Sequence, residues 1–427
     1  MPDVRRAAAN TLLALLLNLS ARASGTLAFI LIGRLAGPTE AGTFSLALGY
    51  LAIINTVFLG LDDVLVRECT RTPERLGELL ASYGVLRLGL SVAVWLGLIA
   101  LLGALGLYSI GDWLVIVIVA GSVLLETFSA INQAAMQALG DFTWPLVATL
   151  AVAAVRVGGA LLAILVQTGI MGVAVAWPIG SLVGALVMVA PGLRQLRIYG
   201  GRATLRFNRT AARQLWHTLR GFSAVSILAG LEYQLDVVLL SVMLSMTAVA
   251  WYSAAVTIVS VVLLLSQAYR MVLFPALVKT LHQSPLAARR LLQRSVLIML
   301  GSALPIAAGI TWLAPQLVEF LYGDSFNNSA AILQVLIWSV VLFFLNVPLV
   351  RFLLASGAQS SVWQMLLLSL SVNVVANLTL IPQAGGLGSA YARLASSSLF
   401  CILAGWQTVR GLSRLETATF VPTDGDS

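Results

Sequence analysis

Long apolar runs recur along the whole 427-residue chain, and short polar connections separate them. A helix needs about 20 apolar residues to cross the hydrocarbon of a bilayer, and these runs reach that length. They are too long for ordinary helices in the core of a soluble domain. The pattern therefore predicts an all-α polytopic membrane protein with about twelve transmembrane helices. The predicted spans are 10–33, 41–61, 81–106, 113–137, 143–166, 170–192, 219–243, 248–273, 293–320, 330–354, 361–381 and 387–409.

The composition agrees with this pattern, because 59% of the residues are hydrophobic and only 10% are charged. Soluble domains carry about 25% charged residues. In a soluble protein, the net charge of +8 would suggest that the protein binds nucleic acid. Here the placement of the basic residues explains the charge better, because it follows the positive-inside rule. No nucleic-acid partner is therefore expected.

The basic residues fall in alternate connections between the predicted spans. One set of connections contains a single basic residue, Arg34; these are 34–40, 107–112, 167–169, 244–247, 321–329 and 382–386. The other set contains Arg5, Arg6, Arg67, Arg71, Arg75, Arg194, Arg197, Arg202, Arg206, Arg209, Arg213, Lys279, Arg289, Arg290, Arg410 and Arg414. Because basic connections stay in the cytoplasm, this bias predicts a multi-pass protein of the cytoplasmic (inner) membrane with both termini in the cytoplasm.

Similar short stretches occur at corresponding places in the two halves of the chain. ALG (138–140) follows the fourth span as ASG (355–357) follows the tenth, and Gly- and Ala-rich stretches open the sixth and twelfth spans. This favours two parallel six-helix repeats around a central cavity, an architecture in which transporters carry substrate at the repeat interface. The predicted domains are an N-terminal lobe at 1–192, a basic linker at 193–218, a C-terminal lobe at 219–410 and a cytoplasmic tail at 411–427.

The linker has two interpretations. Arg206, Arg209 and Arg213 recur at helical spacing, and apolar residues fall mostly on another face. This pattern is typical of an amphipathic helix that lies on the anionic cytoplasmic leaflet. A merely solvated basic linker is the alternative.

The sequence offers few residues that could bind a metal or a cofactor. The two cysteines, Cys69 and Cys401, are far apart, and the two histidines, His217 and His282, lie in polar connections. This pattern matches neither a disulfide framework nor a transition-metal site. The chain also lacks the Walker A motif that would indicate its own ATPase. We therefore expect no metal and no cofactor.

Three arginines interrupt predicted spans away from their obvious ends: Arg22, Arg156 and Arg270. A charge at the middle of a bilayer costs at least about 2.5 kcal/mol on insertion scales, so each should face a cavity or a partner. Guanidinium groups bind phosphate bidentately and stay charged when buried, which suits an anionic substrate such as a diphosphate. We therefore predict that these three residues bind substrate. For arginines nearer the span ends, snorkelling to the interface is the simpler interpretation; these are Arg34, Arg87, Arg351 and Arg393.

Two acidic residues of the seventh span, Glu232 and Asp236, lie four residues apart and so share one helix face. Acids this close repel each other and tend to share a proton unless an arginine intervenes. They are predicted either to bind a coupling H⁺ or Na⁺ or to neutralise one of the arginines above. Asp62 and Asp63, at the cytoplasmic end of the second span, are expected to form a local ion pair with Arg67.

Several strings, taken in their order and spacing, resemble one transporter family over nearly the whole chain. They are GPTEAGTFSL (37–46), GL (60–61), LVRE (65–68), QALGDF (137–142), LDVVLL (235–240), YSAA (252–255), FPAL (274–277), YGDSF (322–326), Asn373, Asn377, IP (381–382) and GGLGSAYA (385–392). In these strings the chain is similar to the polysaccharide-exporter branch of the multidrug/oligosaccharidyl-lipid/polysaccharide flippase superfamily, the Wzx-like O-antigen flippases.

The resemblance implies two six-helix lobes that work by alternating access. It implies a substrate that is an undecaprenyl-diphosphate-linked oligosaccharide, an O-antigen or exopolysaccharide repeat unit, turned from the cytoplasmic to the outer leaflet. It also implies cationic cavity residues for the diphosphate, which Arg22, Arg156 and Arg270 match by span, and an ion gradient as driving force. The chain would then be a transporter and not an enzyme, with a glycan polymerase and the glycosyltransferases of its pathway as expected partners.

Other functions stay open at this point. A drug or metabolite antiporter of the same superfamily would favour acids over arginines in its cavity. A membrane-embedded glycan polymerase or ligase generally needs a sizeable extracytoplasmic loop, and the longest such connection, 321–329, offers only Asp324 as an acidic residue. A receptor or scaffold without transport is the remaining alternative.

Overall fold

The computed structural model describes residues 2–72, 75–199, 207–209, 228 and 230–418, and this part of the chain is helical with short connections. The helices of the first half are α1 (Pro2–Leu35), α2 (Pro38–Arg71), α3 (Leu76–Leu105), α4 (Ile110–Ala138), α5 (Thr143–Leu165), α6 (Gly169–Tyr199) and α7 (230–243). Those of the second half are α8 (Met246–Gln283), α9 (Pro285–Tyr322), α10 (Asn327–Leu336), α11 (Trp338–Ala355) and α12 (Gln359–Ala418), with a 3₁₀ turn at Asp324–Phe326.

Within the described ranges, ten helical stretches are long and apolar enough to cross a membrane. One of them, Gln359–Ser413, is 55 residues long and exceeds a single crossing. It bends at Gly385, where φ is 58° and ψ is −134°, so α12 consists of two arms that correspond to the two last predicted spans. The seventh predicted span, 219–243, falls partly outside the described residues, and α7 is its described part. The prediction of an all-α multi-pass membrane protein is confirmed.

The Cα positions group into two compact units, Met1–Ala250 and Trp251–Ser427, called unit 1 and unit 2 below. In unit 1, α6 packs on α4 and α5, α2 packs on α4, and α1 packs on α5. Helix α7 lies antiparallel to α2, with Gly230 beside Thr56 and Gln234 beside Gly49. A Cβ at Gly42 would lie 1.8 Å from the carbonyl oxygen of Met246, so this close approach at the beginning of α8 requires glycine.

In unit 2, the two arms of α12 are joined by a buried polar network. Ser389 Oγ donates to Asn377 Oδ1 at 2.6 Å, and Asn377 Nδ2 donates to Asn373 Oδ1 at 3.1 Å. Ser369 Oγ donates to the backbone oxygen of Ser396 at 3.1 Å. Asn377 pairs with Ser389 near the bend, and Ser369 pairs with Ser396 farther from it on both arms, so the arms run antiparallel. Because backbone and side-chain polar groups must be satisfied inside a membrane, this network stabilises the pairing of the arms.

The predicted lobe boundaries stay a prediction. Much of the linker, 193–218, lies outside the described residues, as does most of the tail, 411–427. At the described part of the linker, the backbone N–H of Asn208 donates to Ser82 Oγ at 2.9 Å, and its side-chain amide donates to Glu78. Asn208 is therefore held against the beginning of α3.

Candidate functional site: charges within the helices

Arg156 of α5 lies in an ion pair. Its Nη2 donates to Glu126 Oε1 of α4 at 2.7 Å and to Ser181 Oγ of α6 at 2.8 Å. Asn55 of α2 donates from Nδ2 to the other carboxylate oxygen, Glu126 Oε2, at 3.2 Å. The Arg156 side chain is only 12% exposed. Four helices of unit 1 thus meet at one neutralised charge pair.

The rest of the Arg156 side chain is enclosed by α6. Its Cζ lies 4.9 Å from the centroid of the Trp177 ring, and Trp177 in turn packs edge-on against Phe44 at 4.8 Å. A Cβ at Gly180 would lie 2.7 Å from Arg156 Cγ, so the absence of a side chain there makes room for the arginine. This packing fixes the guanidinium against its carboxylate. Charge neutralisation weakens the attraction that Arg156 would exert on a diphosphate.

Arg87 of α3 forms a second buried pair. Its Nη1 donates to Asp62 of α2 and, at 2.7 Å, to the hydroxyl of Tyr83, which itself donates to Asp62. Its Cζ lies 4.7 Å from the centroid of the Phe58 ring. Arg87 is only 4% exposed, so the expectation that it snorkels to the interface is wrong.

For Asp62, the structure also revises the local ion pair expected with Arg67; the side chain of Asp63 lies outside the described residues. Asp62 accepts from Arg87, twenty-five residues along the chain, whereas Arg67 pairs with the adjacent Glu68 at 3.3 Å. The tertiary contact between α2 and α3 brings the more distant arginine to the carboxylate.

Unit 2 holds arginines in a different way. Cζ of Arg270 on α8 lies 5.9 Å from the centroid of the Phe343 ring on α11. Cζ of Arg351 on α11 lies 5.7 Å from the centroid of the Phe274 ring on α8. We call Arg270 and Arg351 the stacked arginine pair, since each lies over an aromatic ring of the opposite helix.

The remaining predicted site residues lie in unit 1. Asp236 is fully buried on α7, and Glu232, one turn away, is partly exposed. Arg22 is exposed on α1. Each of the three takes part in polar or electrostatic interactions of the folded chain.

The sequence contained a signal for the Glu126–Arg156 pair that the prediction did not use. Glu126 is the single charged residue of the predicted fourth span, and Arg156 is the single charged residue of the fifth. Opposite charges alone in consecutive spans favour a mutual ion pair, because each would otherwise be costly in the membrane. Asn55 and Ser181 carried no such signal.

The cysteines do not form a chemical site. Both are free, and burial, together with the charge of Glu68, raises the pKa of the Cys69 thiol to about 12. Since the thiolate is the reactive form, this thiol is unreactive near neutral pH. Within the described ranges, no group of three His, Cys, Asp or Glu side chains could hold a metal ion.

The family profile described as polysaccharide biosynthesis protein matches residues 31–331, well over half of the chain. The chain belongs to this family. A comparison with curated proteins finds no significant match.

Solved structures of similar fold include transporters and a flippase. The inward-facing conformation of a multidrug resistance MATE family transporter of the MOP superfamily aligns with a TM-score of 0.77 and 14% identity, over 93% of this chain and 96% of that one. The inward closed conformation of the lipid II flippase MurJ aligns with a TM-score of 0.71 and 13% identity, over 98% and 94%.

A third similar structure is a MOP superfamily transporter from Pyrococcus furiosus, described by the reverse polarity of its binding pocket. It aligns with a TM-score of 0.63 and 13% identity, over 95% of this chain and 94% of that one. At 13% and 14% sequence identity, these similarities show only that the chain shares the fold of these proteins. The family match confirms the predicted link to polysaccharide biosynthesis, and the fold shared with these transporters and the flippase confirms the predicted fold class.

Proposed function

We propose that this membrane transporter is a flippase for an undecaprenyl-diphosphate-linked oligosaccharide, an O-antigen or exopolysaccharide repeat unit. The observation that carries the proposal is the match to the polysaccharide biosynthesis family over residues 31–331. A lipid-linked glycan is the intermediate of such a pathway that has to cross a membrane. The similarity in fold to a lipid II flippase supports the same class of substrate.

The diphosphate would bind to arginines of the helices. Arg270 is the main ligand in this proposal, because a guanidinium binds phosphate with two parallel hydrogen bonds, and Arg22, predicted for the same role, would attract the anionic head group. Arg156, predicted for the same role, has Glu126 as its counter-ion, and we assign it mainly to the orientation of α4, α5 and α6. The glycan would cross through a polar path while the lipid tail stays in the bilayer.

Turnover by alternating access would be driven by different affinities for the substrate in the inward- and outward-facing states. Glu232 and Asp236 would carry the coupling H⁺ or Na⁺ or compensate charge. We place the protein in the cytoplasmic membrane with both termini in the cytoplasm, because of the alternating charge of its connections. Glycosyltransferases would supply the substrate and a polymerase would consume it.

Deletion of the gene tests the proposal in cells. We expect lipid-linked repeat units to accumulate on the cytoplasmic leaflet and surface glycan to be lost, with recovery when the gene is returned. Normal surface glycan in a deletion strain without a second flippase would overturn the proposal. In proteoliposomes, the purified protein should move a labelled lipid-linked oligosaccharide between leaflets.

A drug antiporter is the second candidate, because a multidrug transporter gives the TM-score of 0.77. It predicts that deletion changes susceptibility to cationic amphiphiles and leaves surface glycan unchanged. The flippase predicts the opposite pattern, so the same deletion strain separates the two functions.

A further inference from the structure

The two arginine–phenylalanine contacts of the stacked arginine pair join the same two helices, α8 and α11. Arg270 and Phe274 are four residues apart on α8, and therefore project from one face about one turn apart. Phe343 and Arg351 are eight residues, or about two turns, apart on α11 and also project from one face. Beside them, Leu273 and Leu277 of α8 pack with Phe352 and Leu353 of α11, which holds the two helices together.

Arg351 has no counter-ion in this arrangement. Throughout the part of the chain that the structure describes, no carboxylate lies within ion-pair distance of it, and its side chain is partly exposed. This distinguishes it from Arg87 and Arg156, each of which has its own carboxylate. An arginine inside a membrane span without a counter-ion is expected to face an anion or a water-filled cavity.

The aromatic ring orients the guanidinium for an anion. A guanidinium carries its five N–H donors in the plane of the group. A phenylalanine ring has no oxygen or nitrogen acceptor, so the contact with Phe274 leaves these donors able to meet the oxygens of a phosphate. Phe274 therefore holds Arg351 without occupying its donors.

Both arginines lie at the same predicted level of the membrane. Arg270 precedes the end of predicted span 248–273 by three residues, and Arg351 precedes the end of predicted span 330–354 by three. Both of these ends are predicted to face the cytoplasm. Diphosphate groups of lipid-linked substrates in the inner leaflet would lie at this level.

We propose that Arg351 is a second phosphate ligand, which together with Arg270 receives the diphosphate of the substrate, one guanidinium for each phosphate. This inference rests on the proposed function and adds a residue to it. Arg351 thereby discriminates a diphosphate from a monophosphate, because only the diphosphate engages both arginines.

Binding of farnesyl diphosphate and farnesyl monophosphate to the purified full-length protein in detergent tests the inference. We expect Arg351→Gln to weaken binding of the diphosphate by about tenfold, since a hydrogen-bonded charge pair is lost. Binding of the monophosphate should change by less than about twofold, since Arg270 suffices for one phosphate. Phe274→Leu, which keeps the charge and removes the ring, should weaken binding of the diphosphate several-fold.

Arg410→Gln is the matched control, because Arg410 also stacks on an aromatic ring, with its Cζ 3.6 Å from the centroid of Trp406. It should leave both affinities unchanged. Arg351→Lys is a second variant that keeps the positive charge in the fold and should retain only part of the preference for diphosphate. Equal affinity of the wild type and Arg351→Gln for farnesyl diphosphate would overturn the inference.

Phospholipid phosphate is the competing source of the same chemistry. Vesicles of dioleoylphosphatidylglycerol should compete poorly with farnesyl diphosphate, and they should do so equally for wild type and Arg351→Gln. If they displace it in wild type and lose this ability in Arg351→Gln, Arg351 binds bulk lipid, and the inference fails.

The inference and the proposed function fail in different ways. If the wild type flips the labelled lipid-linked oligosaccharide but Arg351→Gln binds farnesyl diphosphate normally, only the inference fails. If binding depends on Arg351 but the wild type moves no lipid-linked oligosaccharide, the diphosphate site stands and the proposed function fails.

Discussion

The arginines within the helices have different neighbours in unit 1 and in unit 2. In unit 1, Arg87 and Arg156 are each held by a carboxylate of a neighbouring helix. In unit 2, Arg270 and Arg351 lie over phenylalanine rings. A carboxylate neutralises an arginine, whereas a phenylalanine ring does not. In the roles proposed above, Arg87 and Arg156 stabilise helix packing, and Arg351, which has no carboxylate partner among the described residues, serves an anionic ligand together with Arg270.

Glu126→Gln should have the largest effect on stability, because it leaves Arg156 buried without a counter-ion. Removal of one partner of a buried ion pair costs about 3–5 kcal/mol. The double variant Glu126→Gln/Arg156→Gln should recover most of this loss, because it leaves no uncompensated charge between the helices. Thermal unfolding in detergent measures the series. If Glu126→Gln is as stable as the wild type, the Glu126–Arg156 pair does not stabilise helix packing in unit 1, and the comparison fails for that unit.

Asn377→Ala should have the next largest effect, because it removes the centre of the network between the arms of α12. Ser389 and Asn373 would each lose a buried partner, and such a loss costs about 1–3 kcal/mol. The same unfolding measurement applies. Thr379→Ala, on the exposed face of the same arm, serves as the control and should change stability little.

Asp62→Asn should be milder than Glu126→Gln, although it also removes a counter-ion. The Asp62 side chain is 33% exposed, so water screens the charge that remains on Arg87. Asparagine can still accept from Tyr83 and Arg87. We expect a loss of about 1 kcal/mol. A loss as large as that of Glu126→Gln would show that the two pairs are equally shielded from water.

Arg270→Gln should have the smallest effect on stability and a large effect on transport. A partly exposed cation–π contact contributes only about 0.5–1 kcal/mol. Loss of a charged phosphate contact should reduce flipping in proteoliposomes about tenfold. Arg156→Gln should show the reverse balance, with lower stability and a smaller loss of transport by the folded fraction. If both variants lose only stability, the contrast between the units is wrong.

Much of the fold could be predicted from the pattern of apolar runs. The length of a span follows from the thickness of the hydrocarbon, a local property, so nearly every predicted span has a helical counterpart. The bend at Gly385 separates two spans that were also predicted from their apolar runs. The lobe boundaries could not be placed as firmly, because the end of one packed unit depends on contacts between distant helices.

The candidate site was less predictable. Arg22, Arg156 and Arg270 were singled out by the cost of a charge in the membrane, which is a property of one residue and its span. Whether a charge meets a carboxylate or a ring depends on which faces of two helices meet. The sequence predicted that the Arg87 side chain reaches the membrane–water interface. The packing of α2 on α3 instead buries it beside Asp62.

By itself, the sequence determined that the chain is a helical, multi-pass membrane protein, because the hydrophobic effect acts on each apolar run separately. Composition also determined that arginines outnumber acids among the residues that interrupt the spans. Only the tertiary structure decided which of these arginines are neutralised. That decision depends on side chains from helices far apart in sequence, such as Glu126 and Arg156, or Phe274 and Arg351, meeting at a few ångströms.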